Sequence, residues 1–483
     1  MIKKAFLVCF LSLMITTAAY GGGLALSGVG SKAIGMGGAF RGLADNWSAA
    51  YWNPAGLTQL SESEFNLMAI AINPMPEYNP DIWYGGINDN DVVTKYDVGY
   101  RNGEFRYPDD KTHLAPNLSG FYKSPSREDV TLGIAVFVPY ALGSEWDLFD
   151  PVYEDIVGAY PEIDHKSFLQ VVDIHPSVAK SFMEDQLSIG AGISIMKGNA
   201  EFQKTELTAT GLPYPHDNVA ADVFIKGDGW GYGANFGILY KLTDNLQIGI
   251  SGKTPTTLKI DGDVDIALYA IDNDYLQYEA LGECDNQADS AAVDFIFSSV
   301  EDGPRTWSRE ATAELKLPAD IGLGFAYNAS EKLTLTMDFT YTLWSGLDSI
   351  IIDMDGTAPP AHDPTDTLLV IRTKWEDIFR FSIGGQYQVS DPFALRFGFY
   401  LDPSPIPDET FSPLFLDVGT KYSGNLGASI KLKEWEIGYN FEYIHFAERN
   451  LPYDGYVGST FDNYPGIFKA YLIANHLSIT YRF

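Results

Sequence analysis

The feature that most constrains this chain is a two-residue alternation that recurs along most of its length. Leu333, Leu335, Met337, Phe339, Tyr341 and Leu343 are separated by Thr334, Thr336, Asp338, Thr340 and Thr342. A β-strand turns successive side chains to opposite faces, so this stretch has one apolar wall and one small or polar wall. The period returns at Leu187–Ile195, where Ser188, Gly190, Gly192 and Ser194 intervene. It returns again at Phe379–Ile383, Phe393–Phe399 and Trp435–Tyr443. Beyond the N-terminus no stretch approaches the roughly 20 apolar residues of a membrane helix. The chain is predicted to be all-β.

Alternation alone does not say which wall is wet, because a soluble sandwich alternates too. The two ends decide. Lys3 and Lys4 precede a short apolar run from Ala5 to Ile15, and Thr17 and Ala19 suit a signal-peptidase site. Residues 1–19 read as a cleaved export signal, too short in its apolar core to anchor. At the other end Tyr471, Ile473, Leu477, Ile479, Tyr481 and Phe483 share one face. A terminal Phe after such a run resembles the signal read by the outer-membrane barrel assembly machinery. The 29 Tyr, 29 Phe and 9 Trp supply aromatic girdles, and Cys284, alone once Cys9 leaves, forms no internal disulfide. Exported, aromatic-rich and helix-poor, the chain is expected to form a transmembrane β-barrel in the outer membrane of a Gram-negative bacterium. Its neighbours there would be outer-membrane lipid and lipopolysaccharide.

Counting segments predicts about 14 antiparallel strands. They fall near 63–73, 113–123, 129–142, 167–182, 186–204, 222–241, 245–260, 311–328, 331–346, 375–389, 392–401, 416–432, 434–446 and 468–483. Short joins such as Thr243-Asp244 and Ser390-Asp391 alternate with long ones, the longest being 74–112, 261–310 and 347–374. The short joins read as periplasmic turns and the long ones as outer loops.

The formal charge is −32, which excludes nucleic acid as a partner. Acids cluster where the pattern lapses, at Asn88–Asp91, Asp261–Asp263 and Asp353–Asp355. The last begins like a calcium loop, but its twelfth position is Pro364, so these are read as solvated acids and no metal or cofactor is assigned. A hydrolase has to be weighed. His216-Asp217 and His362-Asp363 fall in outer loops and could activate water, as in outer-membrane proteases of the omptin kind. A barrel phospholipase would need Ser and His together on the lipid face. His445 has that parity but no serine partner is evident. No HExxH or GxSxG spacing occurs, and no catalytic residue is assigned. Basic side chains inside a barrel are more suggestive. Arg380, Arg396 and Lys421 have inward parity, where they could meet a ligand carboxylate or merely pair with acids such as Asp338 or Glu436.

One long stretch obeys no alternation: GVGSKAIGMGGAFRGLADNWSAAYWNPAGLTQL, Gly28 to Leu60. Its Gly37-Gly38-Ala39-Phe40, Ala44-Asp45 and Asn53-Pro54-Ala55 resemble the N-terminal hatch of the FadL/TodX family of outer-membrane transporters for fatty acids and other hydrophobic molecules. The likeness continues through Gly229–Gly233, Gly237–Tyr240, Leu317-Pro318, Trp344-Ser345 and Asp402–Pro407. It implies a hatch over 20–62 plugging a barrel over 63–483. Gly37, Gly38, Phe40, Asn53, Pro54 and Ala55 would form the gate. It also aligns Lys421 and Lys197 with positions that meet a ligand carboxylate, although Lys197 shares the outward parity of Ile193 and Ile195. The third strand carries Pro139 inside its run, followed by Tyr140, Leu142 and Gly143. Proline cannot donate to a ladder, and this string resembles the family's kinked third strand, which opens sideways into the membrane. The expected function is passive uptake of hydrophobic molecules, long-chain fatty acids foremost, with hatch-gated lateral release. The heavy negative charge keeps neutral aromatic or aliphatic hydrocarbons open as an alternative.

Overall fold

The computed structural model describes residues 23–80, 112–124, 126–148, 163–209, 218–269, 305–355, 368–415, 417–451 and 466–483. The expected signal, His216-Asp217, His362-Asp363 and the acids at 88–91 lie outside these residues.

Among the described residues, eighteen strands form one antiparallel sheet. They are β1 (Glu64–Pro80), β2 (His113–Ser124), β3 (Arg127–Trp146), β4 (His165–Phe182), β5 (Leu187–Ala209) and β6 (Asn218–Thr243). Next come β7 (Leu246–Lys253), β8 (Thr256–Tyr269), β9 (Arg305–Leu317), β10 (Ala319–Ser330), β11 (Leu333–Leu343), β12 (Ser349–Met354) and β13 (Leu368–Arg372). The set ends with β14 (Ile378–Ser390), β15 (Phe393–Asp402), β16 (Lys421–Leu432), β17 (Trp435–Leu451) and β18 (Gly466–Arg482). The sheet closes where β1 pairs with both β2 and β18, Glu64 standing opposite Phe121 and Arg482. Closure leaves no edge to be satisfied inside lipid.

The result is a closed 14-strand antiparallel barrel. Four of its staves are each two segments, β7 with β8, β9 with β10, β11 with β12 and β13 with β14. β6 pairs first with β7 and then with β8, and the junction is Thr254-Pro255. β9 pairs with β8 and β10 with β7, with Pro318 between them. The expected single strands 245–260 and 311–328 are thus each two segments, because proline has no N–H for the ladder. The supposed loops 261–310 and 347–374 also contain strand: β8 and β9 run on past the expected ends, and β12 with β13 forms a hairpin joined to β9.

Outward residues of the lower wall are large and apolar, for example Phe236, Ile238, Ile250, Leu335, Phe397 and Leu426. Toward the outer end the pattern inverts. On β8, Leu258 and Val264 are buried inside, while Asp261, Asp263 and Asp265 are exposed outside. Above the bilayer the outer face meets water, so acids move out and the apolar face moves in.

Candidate functional site: a filled lumen and a broken ladder

Residues 23–62 lie inside the barrel, folded as a helix (Ser31–Gly35), a single helical turn (Ala49–Trp52) and a 3₁₀ helix (Pro54–Gln59). Leu24, Val29, Ile34, Phe40 and Leu57 are buried within the core. Gly37 and Gly38 have φ of 66° and 74°, a left-handed pair that only glycine adopts freely. The turn they make sends two successive amides, Phe40 and Arg41, onto Asp338 Oδ2 at 3.0 and 2.7 Å. The Arg41 guanidinium donates to Ser251, Thr340 and Asp320 on the wall. Asn53 caps the 3₁₀ helix by accepting from the Ala55 amide, and its Nδ2 donates to the carbonyls of Arg41 and Ile238. Pro54 takes the first helical position, where a missing N–H costs nothing.

The wall is shaped to fit. A Cβ on Gly190 would stand 2.3 Å from the Pro54 carbonyl carbon, and one on Gly237 1.9 Å from Asn53 Oδ1. On Gly249 it would reach 2.0 Å from the Arg41 oxygen. These inward glycines let the segment's backbone touch the strands directly. Their place in the alternation is legible in the sequence; their shared contact is not.

The second feature is in β3. Its ladder with β2 runs from Ser124 opposite Arg127 only as far as Leu118 opposite Val136. Both strands continue, β2 along β1 and β3 along β4, but among the described residues they no longer pair with each other. The β3–β4 register slips between Phe137 and Tyr140, at Pro139. The orphaned Val138 amide donates to the Asn117 side chain at 3.3 Å. Leu24–Leu26 approaches from the lumen: the Leu26 amide donates to the Pro139 carbonyl and the Ala141 amide to the Leu24 carbonyl, each at 3.0 Å. Alternation ends here, and every residue from Phe137 to Ser144, Tyr140 and Gly143 included, is buried.

The candidate cations separate. Lys421 is buried and paired with Asp417 at 2.6 Å; Asp417 also accepts from the Gly23 amide at 2.5 Å. Arg396 is held by Gln386 and Ser429, with Glu436 at 3.8 Å. Arg380 stacks on Tyr400 at 3.8 Å and donates through Nη1 to the Ser27 carbonyl, while its buried Nη2 has no hydrogen-bond partner. Lys197 is a correction: it lies on the outer wall, bonded to Asp228 and 5.1 Å over Trp230, and cannot face a ligand in the lumen.

Toward the outside, the inverted alternation leaves an open cavity of about 230 Å³. Phe202, Ile225, Leu369, Ile371 and Phe415 line it, together with the cations Lys204, Arg372 and Lys374. His445 is exposed on the outer face. Inside, Ser194, His175 and Asp173 come together, but Ser194 and Asp173 both face His175 Nδ1, so no relay runs from serine through the ring to the acid. Sequence reasoning missed this cluster, although Asp173 and His175, two apart on β4, must share a face.

The family model described as outer membrane protein transport protein (OMPP1/FadL/TodX) matches residues 12–451. The chain belongs to this family. Among FadL/TodX relatives, an outer membrane protein of Neisseria meningitidis serogroup B is 23% identical over 409 residues, covering 82% of this chain and 80% of its own. The long-chain fatty acid transport protein of Escherichia coli K12 is 22% identical over 449 residues, 86% of this chain and 88% of its own. A Pseudomonas aeruginosa FadL homologue superposes with a TM-score of 0.73 at 19% identity, covering 95% of this chain and 100% of that one. The Pseudomonas putida toluene transporter TodX gives 0.67 at 15%, covering 95% and 99%. These structures share the fold. Membership places this FadL/TodX chain in the outer membrane.

Proposed function

We propose that the protein is a passive channel for hydrophobic molecules, long-chain fatty acids foremost, and that residues 20–62 act as a hatch directing release sideways between β2 and β3. The carrying observation is the ladder that stops at Leu118 and Val136 while both strands continue, with Leu24–Leu26 laid against the break. Bonds left unmade in the wall of a closed barrel are costly inside lipid. Ligand enters the apolar cavity under the outer rim, descends to the hatch near Asn53-Pro54, and leaves at Pro139 into lipid. Burial of apolar surface drives entry, at roughly 0.8 kcal/mol per methylene. Lipid and lipopolysaccharide surround the apolar outer wall, and Phe483 is the contact for the assembly machinery.

One observation favours neutral hydrocarbons as the cargo. Lys421 is neutralised by Asp417 and Arg396 is bonded to Gln386 and Ser429, while Arg380 Nη2 is buried without a hydrogen-bond partner. Mass spectrometry of co-purified ligand, followed by binding of a fatty acid against its matching alcohol, tests both readings. Absence of any apolar ligand, and no binding of either probe, would overturn the proposal.

A further inference from the structure

We infer that Leu258 is the gate of the apolar route through the barrel, setting the width of molecule that passes from the outer cavity to the break in β3. The inference deepens the proposed function and rests on its uptake reading.

Among the described residues three cavities mark that route. The first is the open outer cavity. The second, of about 40 Å³, lies deeper against β5, β6, β8, β9 and β12, and shares Phe202, Ile225 and Ile371 with the first. Lys226, Asp263 and Thr312 also border it, but each is exposed on the outer face. The third, of about 20 Å³, has room for roughly one water. It lies behind the break, bordered by Phe137, Pro139 and Tyr140 of β3 and by Tyr51 of the hatch. Asp173, His175, Asn235 and Lys253 make much of its lining polar, so selection by apolar shape has to occur above it.

The second and third cavities end on the same three strands. On β5 the second reaches Ala200 and the third Met196, and Gly198 faces inward between them. On β6 they reach Gly227 and Asn235, and the inward positions between are Gly229, Gly231 and Gly233. On β8 they reach Ile260 and Thr256, with Leu258 between. Side chains on one face of a strand recur every second residue. Along this wall the inward positions separating the cavities are therefore glycines, save Leu258.

Leu258 is fully buried, and its methyls rest on two of those glycines. A Cβ on Gly198 would stand 2.8 Å from Leu258 Cδ1, and one on Gly231 would stand 2.8 Å from Cδ2. The glycines form a niche in the wall, and the side chain has staggered alternatives that take it out of the niche and into the route. Its isobutyl group carries neither charge nor hydrogen bond, so it discriminates by cross-section alone. The niche also supplies a way to move the gate without touching it. Gly198 is not among the glycines with positive φ, so alanine fits its backbone. The three atoms nearest to the added methyl all belong to Leu258. Gly198→Ala therefore drives Leu258 off the wall and narrows the route, whereas Leu258→Ala widens it. A residue that merely filled space would not give opposite signs.

The test compares uptake of palmitic acid and its methyl-branched relative phytanic acid by cells carrying the full-length protein. The two share a carboxylate and differ in width. Leu258→Ala should raise the phytanic-to-palmitic uptake ratio roughly tenfold, the scale on which an apolar pocket resolves one added carbon. Gly198→Ala should lower the ratio, and combining it with Leu258→Ala should bring the ratio back toward wild type. Heat-modifiable migration reports that each variant is folded. An unchanged ratio in folded Leu258→Ala would overturn the gate, as would a Gly198→Ala effect that persists undiminished in the double variant. A second measurement uses no cargo. In xenon-pressurised crystals of Leu258→Ala, xenon should lie between Gly198 and Gly231, since a dry apolar cavity binds it. Wild type should hold none there, and a variant without xenon at that point would overturn the gate. If wild type takes up neither acid, the uptake reading fails and the xenon result still decides whether Leu258 divides the two cavities.

Discussion

The Ala141 amide donates to the Leu24 carbonyl at 3.0 Å, and this bond joins the first described turn of the chain to a barrel strand that has lost its neighbour. With its companion from Leu26 to Pro139, it makes the N-terminal segment stand in for the missing run of β2. The seal is short and its bonds are ordinary, so it is suited to opening. Leu26→Pro removes the one donor that reaches Pro139. Planar-bilayer recordings should find more frequent or larger openings than in Leu26→Ala, which keeps the amide. Equal, closed behaviour of the two would mean that the segment does not seal the break.

Restoring the wall should have the opposite effect. Pro139→Val with Gly143→Val adds an N–H and two β-branched side chains in the buried stretch of β3. Fatty-acid uptake by cells should cease while heat-modifiable folding and ligand binding persist. Undiminished uptake by the folded double variant would eliminate the lateral route.

The lumenal cations divide into a structural one and a binding candidate. Lys421→Ala strands the Asp417 carboxylate in a buried site and should destabilise by roughly 3–5 kcal/mol. Combining Lys421→Met with Asp417→Asn should recover most of that loss. Neither change should distinguish a fatty acid from its alcohol. Arg380→Met should, weakening the acid by roughly 1.5–3 kcal/mol more than the alcohol. Titration calorimetry on the purified barrel separates the two residues, and a selective loss on Lys421→Ala alone would reverse the assignment.

What could be read from the sequence followed the range of the force involved. Alternation at Leu333–Leu343 is dictated locally by the pleat, so the strands and their count were legible. Gly37-Gly38 and Asn53-Pro54 carry their own backbone geometry, so the non-strand segment stood out. Pro139 announced a fault in β3, but not that Leu24–Leu26 would lie across it, because that pairing depends on the closed barrel. Asp261, Asp263 and Asp265 looked like loop because alternation was expected to end with the membrane; it continues with its faces exchanged. Parity put Arg380 and Lys421 inside, yet said nothing about their partners. Asp417, four residues before Lys421, was close enough to be suspected.

Where β13 gives way to β14, Asp377 accepts from the Ser345 amide and the Tyr341 hydroxyl, each at 2.9 Å. These bonds, the Ser345 amide foremost, hold its carboxyl below the usual aspartate range. A carboxyl depressed in the folded state contributes stability above its unfolded pKa, and the contribution is lost as pH falls through the folded value. Acidification should therefore loosen the clip between the end of β11 and the start of β14. Carboxyl-carbon NMR should place the Asp377 midpoint below that of an exposed aspartate, and Tyr341→Phe should raise it. A midpoint in the ordinary range would contradict the clip.

The fit between segment and wall gives the sharpest test of the plugged lumen. Gly237 faces inward on β6, and a Cβ there would lie 1.9 Å from Asn53 Oδ1 and 2.9 Å from Pro54 Cδ. Asn53 is buried and its side chain ties the segment to itself and to the wall through Arg41 and Ile238. It has no room to retreat. The strand itself has no such difficulty: Gly237 pairs with Gly190 and Ser251 in regular register, and valine is at home in a ladder. Gly237→Val should therefore leave the barrel assembled and displace the segment. Heat-modifiable migration should persist, while residues 40–60 become open to added protease and cells become sensitive to large antibiotics that the wild type excludes. Gly252→Val on the adjoining β7 is the control, since the nearest atom to its added Cβ is the Asp320 carbonyl at 2.9 Å and none belongs to the segment. A Gly237→Val barrel that stays protease-resistant and impermeable would mean that the segment is held by its terminal contacts alone, and that the glycine-lined fit to the wall is incidental.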